Sequence, residues 1–506
     1  MMKNILEWLE RSEKFFSEKT AFSDDQQEVT YRQLLERAKA LGSFLGKFGQ
    51  KNHAVALLIP RSVETLTAMM GVAYSGNFYV VLDTEMPQER MTAILGKISP
   101  FAILTVDALK EKADDLLPRK AVVFENAVQE PINEEMLLEI RENMVDVDPL
   151  YALFTSGSTG MPKGVVVCHR NVISYINWYV SAFSIDDSVV FGSQTPFYFS
   201  MSVSDVYSTL CAGGTLHIIQ KQTFSFPLQL LQLLNAKEVN TIYWVPSALC
   251  LLANWKAFDY EKPQFLKRVL FAGETMPTRQ LNYWMGHLPD CTFANLFGPT
   301  ETTDICTYYV VNRKFADGES LPIGHACNNC DVFVLDENNH LVEHGEKGEL
   351  FVRGSFVAPG YYAEPEKTAD VFVQNPLNPY YPESVYKTGD LVLYNSYGEL
   401  EYAGRKDFQI KHMGYRIELG EVEAAASAVT EISSCAVCYD MGSDQIILFY
   451  QGKKISDEDL MKQLKRRLPP YMLPGRLCRL RSFPYNQNGK IDRKKLLKDY
   501  QEQTKC

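Results

Sequence analysis

The stretch TSGSTGMPKG, running on from Thr155, concentrates groups that bind phosphate. It leaves the apolar run LYALF and enters VVVCH, so the spacing predicts a loop at the end of a strand. Gly157 and Gly160 let backbone N–H groups approach an oxyanion. Thr155, Ser156, Ser158 and Thr159 bring hydroxyl donors, and Lys163 brings a positive charge. The G-x-x-x-x-G-K-[ST] spacing is absent, which excludes a P-loop nucleotide hydrolase. By itself such a loop more often serves as a flexible connector. Further on, FGPTE sets the hydroxyl of Thr300 beside the carboxylate of Glu301 directly after Gly-Pro, a combination suited to phosphate and a hard cation. Asp390 in YKTGDL and Lys490 in NGKIDR each stand in polar turn sequence, where alone they read as a cap and a solvated turn residue.

These groups need a scaffold, and the chain supplies alternating elements. Thr30 with Gln33 three residues on forms a capping box, and Leu34, Ala38, Leu41, Leu45 and Phe48 follow at helical spacing to a stop near Gly49. The runs AVALLIP, FYVVLD and FAILT alternate with helices opening near Ser62 and Pro87. Such alternation predicts an α/β fold with mixed or parallel sheets flanked by helices. From residue 332 to 406 shorter strands with polar turns predict a small antiparallel barrel. Residues 407–506 read as a small α+β domain of helix, strand pair, helix and closing loop, giving an N-terminal region 1–406 and a C-terminal domain with a hinge at Asp407.

At 506 residues and 46% hydrophobic, the chain can fill two or more compact domains. Its start, MMKNILEWLERSEKFF, has neither the apolar run nor the cleavage site of an export signal. Val239 to Trp255 is broken by Asn240, Thr241, Pro246 and Ser247, so it reads as strand, turn and helix rather than a membrane span. Eleven cysteines, an odd number, favour reduced thiols and a cytoplasmic setting. The pairs Cys327/Cys330 and Cys435/Cys438 lie too far apart for a zinc ribbon, and no HExxH occurs among the eight histidines. Net charge is −11, yet residues 407–506 carry 17 lysines and arginines against 13 acids. That balance suits an acidic partner or a solvated helix face, and it does not call for nucleic acid.

The ordered set VTYRQL, YSGNFYVVLD, LYALFTSGSTGMPKG, FGPTE, GELFVRG, YKTGDL, GRKDFQIKHMGYRIELGEVE, LPPYMLP and NGKIDR spans nearly the whole chain. It resembles the adenylate-forming superfamily of acyl-CoA synthetases, luciferases and nonribosomal peptide synthetase adenylation domains. The resemblance implies ATP-dependent activation of a small carboxylic acid as its adenylate, with Mg²⁺, and then transfer to a thiol. Under it Glu301 holds Mg²⁺ and Thr300 bonds the α-phosphate. Asn295, Phe297, Gly298, Asp390 and Arg405 join the loop residues around the nucleotide, with Asp390 on the ribose hydroxyls. Lys490 bridges the acid and the α-phosphate. Asp407 is the hinge of a mobile C-terminal domain, and Lys411 and Gly414 line the thiol tunnel. The chain ends 13 residues after Arg493 without a carrier segment, so a separate carrier protein bearing phosphopantetheine is expected in trans. D-alanine:D-alanyl carrier protein ligases and discrete amino-acid adenylation enzymes are the most similar members.

For the acid, the resemblance implies a pocket of Phe199, Ser200, Met201, Ser204, Tyr243, Leu270, Ala272, Leu296, Asp304 and Ile305. Amino-acid-activating members carry FDxS, whose Asp meets the α-ammonium, and here the run is FSMS with Ser200 in that place. A hydroxyl cannot neutralise a buried ammonium. Asp304 could meet an amine placed elsewhere, as in a β- or ω-amino acid, or it could face solvent or Mg²⁺ while water relays Ser200 to an ordinary amino acid. An acid without an amine, activated for a carrier or for CoA, is the second reading, and a non-catalytic binding homologue is the third.

Overall fold

The computed structural model describes residues 2–157, 161–484 and 491–504, with the side chains of 503 and 504 left aside. Its elements make two compact units. One comprises Met1–Thr84, Ile98–Leu153 and Gly164–Lys406, and the other Glu85–Lys97, Phe154–Lys163 and Asp407–Cys506.

The first unit is mixed α/β. A nine-stranded sheet runs in the order His325–Ala326, Thr307–Val310, Thr292–Phe297, Arg268–Ala272, Thr241–Trp244, Val190–Ser193, Thr215–Ile218, Thr20–Ser23 and Glu28–Thr30. Its inner strands pair in parallel, and its edges are antiparallel. A second, seven-stranded sheet contains Ala54–Leu58, whose five residues are all buried. That burial explains its unbroken apolar run, since a parallel strand covered on both faces has no polar side. Strands Cys330–Leu335, Gly348–Gly354, Ser384–Tyr394, Phe372–Gln374 and Leu400–Arg405 form an antiparallel five-stranded sheet over the region expected to be a small barrel.

Local signals act as their chemistry dictates. Thr30 Oγ1 accepts from the Gln33 amide at 3.3 Å and the Gln33 side chain accepts from the Thr30 amide at 3.1 Å, a cap contributing about 1 kcal/mol to helix Tyr31–Gly46. That helix stops three residues before Gly49. Val239 to Trp255 resolves into strand Thr241–Trp244 and helix Pro246–Asn254. No described helix is long and apolar enough to cross a membrane.

In the second unit, Gln409–His412 and Tyr415–Glu418 form a hairpin. Met413 (φ +52°) and Gly414 (φ +78°) are its two-residue turn, a left-handed pair matched to the strand twist. Helix Leu419–Ser427 leads to the antiparallel pair Ile432–Asp440 and Gln445–Gly452. Strand Arg476–Arg479 adds to it in parallel, and helix Arg493–Thr504 stands where a closing loop was expected. The added strand reads RLCR, too short and charged to show a strand pattern. Val422, Leu448, Leu460, Leu464 and Met472 make this unit's own core. Among the described residues every cysteine is a free thiol, Cys435 and Cys438 lying on one strand, and no cluster of His, Cys, Asp or Glu could hold a metal ion.

Candidate active site

Strand register builds one wall of the acid site. Tyr243 lies opposite Leu270 and Ala272 lies opposite Leu296, so these four side chains share a face of the nine-stranded sheet. All four are buried, as are Met201, Ser204 and Ile305, while Phe199 and Ser200 are half-buried. Ser200 immediately precedes helix Met201–Ala212 without a side-chain capping bond, and Ser204 stands one turn further along.

The turn after strand Thr292–Phe297 delivers Asp304 to the same place. A Cβ on Gly298 would lie 2.5 Å from the Asp304 carbonyl oxygen and 2.5 Å from Ile305 Cα, so only glycine lets the two backbones meet. A short 3₁₀ turn, Thr300–Thr302, then leads to Thr303 at φ +69°, a conformation that costs a β-branched residue on the order of 1–3 kcal/mol. Its hydroxyl donates to the Phe356 carbonyl at 2.7 Å and holds the kink. The result points Asp304 inward. Its side chain is 2% exposed, which excludes the reading that it faces solvent.

Four hydroxyls converge on that carboxylate. Ser200 donates to Oδ1 at 3.0 Å, and Oδ2 accepts from Tyr243 at 3.0 Å, Ser204 at 3.1 Å and Tyr175 at 3.1 Å. Burial pushes the Asp304 pKa up to about 6, against the pull of these hydrogen bonds. No cation among the described residues pairs with it. The hydroxyls of Tyr151 and Tyr179, buried and without a hydrogen-bond partner among the described residues, lie within its electrostatic reach. Three sequence-predicted residues, Ser200, Ser204 and Tyr243, thus meet a fourth, Asp304. Tyr175 was missed, because an aromatic on the buried face of helix His169–Ala182 looks like core packing.

Other predicted residues of this unit occupy defined positions. Asp390 and Arg405 face each other across neighbouring strands and pair at 2.7 Å, with side chains 3% and 7% exposed. The Asp390 amide donates to the Thr388 hydroxyl at 3.0 Å, fixing the carboxylate's base. Glu301 is fully buried, with Oε1 accepting from the Tyr361 hydroxyl at 2.7 Å. Tyr361, sixty residues downstream, had no signal in the sequence. Asn295 donates to the Pro322 carbonyl at 2.8 Å, and Phe297 packs on Tyr402 at 5.8 Å between ring centroids. Thr300 is half-buried at the head of its turn.

In the second unit Ser156 Oγ donates to the Arg416 carbonyl at 2.8 Å and accepts from the Glu418 amide at 3.1 Å. The Gly157 amide donates to Glu421 at 3.3 Å, and Glu421 also pairs with buried Arg90. Among the described residues Thr155 Oγ1 is buried without a partner, a donor left over for a ligand. Lys163 opens strand Lys163–Cys168. Lys411 lies opposite Arg416 in the hairpin that Gly414 turns. The Asp407 carboxylate accepts from the Gln409 amide at 3.2 Å. Ser158, Thr159, Gly160 and Lys490 lie outside the described residues.

Within the first unit the donor set suits a nucleotide with its metal. Asp390 is a fixed acceptor suited to vicinal hydroxyls. A single buried carboxylate at Glu301, rather than a cage of several, suits Mg²⁺, which retains waters and phosphate oxygens.

Comparisons with known proteins identify the family. Residues 9–362 match the model of the AMP-binding enzyme family. The D-alanine–D-alanyl carrier protein ligase of Lacticaseibacillus casei is 30% identical over 98% of this chain and 99% of its own length. A dimodular nonribosomal peptide synthase of Bacillus subtilis is 33% identical over 97% of this chain, which spans only 21% of that longer protein. Among solved structures, the Vibrio cholerae adenylation domain AlmE in complex with glycyl-adenosine-5'-phosphate superposes with a TM-score of 0.84 at 22% identity, covering 99% of this chain and 98% of that one. A family match over most of the chain and a carrier-protein ligase matched end to end make this protein a member of the AMP-binding enzyme family, an adenylate-forming acid–thiol ligase.

Proposed function

We propose that the chain activates a small, amino-acid-like carboxylic acid and loads it onto the phosphopantetheine thiol of a separate carrier protein in the cytoplasm. In the first step an acid oxygen bonds to the α-phosphorus of ATP, the bond to the β-phosphate bridge breaks, and pyrophosphate leaves. In the second the thiolate attacks the acyl carbon and AMP leaves. Glu301 would hold Mg²⁺, which when bound would supply charge neutralisation on the phosphates. Thr300 and the hydroxyls from Thr155 to Thr159 donate to phosphate oxygens, with Lys163 adding charge. Asp390, fixed by Arg405, accepts the ribose hydroxyls, and Asn295, Phe297 and Gly298 shape the adenine side. Lys490 bridges the acid and the α-phosphate. Region 1–406 binds the substrates. Domain 407–506 turns about Asp407 between steps and presents Lys411 and Gly414 along the thiol path.

The observation that carries the amino-acid-like substrate is Asp304, a buried carboxylate that has hydroxyl partners and no cation among the described residues. Leaving such a charge uncompensated is costly, and a substrate ammonium would offset it. The similarity of this chain to a carrier protein ligase over that ligase's whole length supports the acceptor. The test is to mix protein, ATP, Mg²⁺ and a panel of small acids with a phosphopantetheinylated carrier protein or with CoA, reading the acceptor's mass. An acyl increment on the carrier is expected. Loading of CoA alone contradicts the acceptor.

A further inference from the structure

Building on the adenylation reading, we infer that Asp304 and Ser200 together select an acid whose ammonium sits on the β- or γ-carbon. Ser200 stands where an α-ammonium would meet its counter-charge, and it is neutral. The charge lies one hydrogen bond further in, at Asp304 Oδ1, 3.0 Å from Ser200 Oγ.

The two carboxylate oxygens are not equivalent. Oδ2 accepts from Tyr175, Ser204 and Tyr243, which fills its lone-pair directions. Among the described residues Oδ1 accepts from Ser200 alone, so it is the oxygen with capacity for another donor. Ser200 is also the half-buried member of the group, and the rest are buried, so approach is from the Ser200 side. The tyrosines fix the carboxylate, and Ser200 can swing its hydroxyl to serve an ammonium as acceptor while Oδ1 meets the charge.

Distance sets the carbon. An extended chain advances roughly 1.2 Å per bond, as the ~3.6 Å of an extended residue spread over three bonds shows. Moving the counter-charge inward by up to 3.0 Å therefore calls for one or two more methylenes between carboxyl and amine. Leu270, Ala272 and Leu296, on the same sheet face as Tyr243, are apolar and buried, which suits a short hydrocarbon linker and disfavours a second charge.

The experiment is acid-dependent exchange of pyrophosphate into ATP with the whole chain. The panel is β-alanine, 3-aminobutanoate and 4-aminobutanoate against glycine, D- and L-alanine, and the amine-free propanoate and butanoate. A β- or γ-amino acid is expected to exceed its amine-free counterpart in kcat/KM by about 100-fold, the scale of truncating one partner of a buried charge pair. Asp304→Asn should erase that preference chiefly through KM, with a cooperative melting transition at neutral pH no lower than wild type confirming the fold. Ser200→Asp should shift preference toward the α-amino acids. Wild-type preference for an α-amino or amine-free acid overturns the inference and leaves adenylation standing. No exchange with any acid overturns the adenylation reading and the inference with it.

Discussion

Replacing Asp390 by alanine separates a structural ion pair from a nucleotide clamp. The pair is 2.7 Å long with both side chains at least nine-tenths buried, so Asp390→Ala leaves the Arg405 guanidinium without its carboxylate in a low-dielectric site. Breaking such a pair costs about 3–5 kcal/mol. Asp390→Ala with Arg405→Met removes both charges and should restore most of that stability, because apolar replacement of a buried pair is often neutral. Nucleotide affinity should not follow. If Asp390 accepts two ribose hydroxyls, both variants lose hydrogen bonds to a charged group worth roughly 1.5–3 kcal/mol each, and ATP binding weakens on the order of 100-fold or more. Urea midpoints report the first quantity, and calorimetric titration with a non-hydrolysable ATP analogue reports the second. A double variant that regains both stability and wild-type affinity would refute the clamp and leave Asp390 a purely structural residue.

Further outcomes follow from the same geometry. The Asp304 carboxyl, raised from 3.8 to about 6, stays protonated in the folded chain where the unfolded chain has ionised. Its stabilising contribution is full below about pH 4 and is lost as pH rises through about 6, falling about 1.4 kcal/mol between pH 5 and 7.5. Asp304→Asn should flatten that slope in urea midpoints. The groups within its field, Tyr151, Tyr175, Tyr179, Tyr243, Cys327 and buried Asp205, are common to both proteins, and parallel slopes would show that Asp304 does not titrate there. Thr303→Val keeps a branched side chain at φ +69° and removes the 2.7 Å bond to Phe356, so it should lower stability by about 1–3 kcal/mol. An unchanged melting profile would mean that the bond does not hold the kink. Lys490→Ala should abolish adenylate formation while sparing thioester formation from supplied acyl-adenylate. Equal loss of both steps would contradict a domain that works in two orientations.

Legibility in the sequence followed the range of the interaction. The Thr30–Gln33 cap and the fully apolar strand Ala54–Leu58 are local, and residue spacing alone makes them legible. Ser200, Ser204, Tyr243 and Asp304 could be assigned to one pocket only through resemblance, since they come from a helix, a strand and a turn far apart in the chain. What sequence could not settle was the direction of Asp304. That depends on Gly298 letting two backbones touch and on Thr303 holding a left-handed kink against Phe356, fifty-three residues away. Tyr175 and Tyr361 escaped for the same reason: a tyrosine on a buried face looks like packing until its hydroxyl finds a carboxylate. Strand Arg476–Arg479 escaped because its two charged ends hide a four-residue pattern.

The central claim, that this chain makes an acyl-adenylate, is tested most directly by incubating the purified protein with ATP, Mg²⁺ and the acid panel and resolving the products by mass spectrometry. The account predicts an acyl-AMP species and stoichiometric pyrophosphate, both dependent on the acid. Release of ADP and phosphate, or of AMP without any acid requirement, would contradict it.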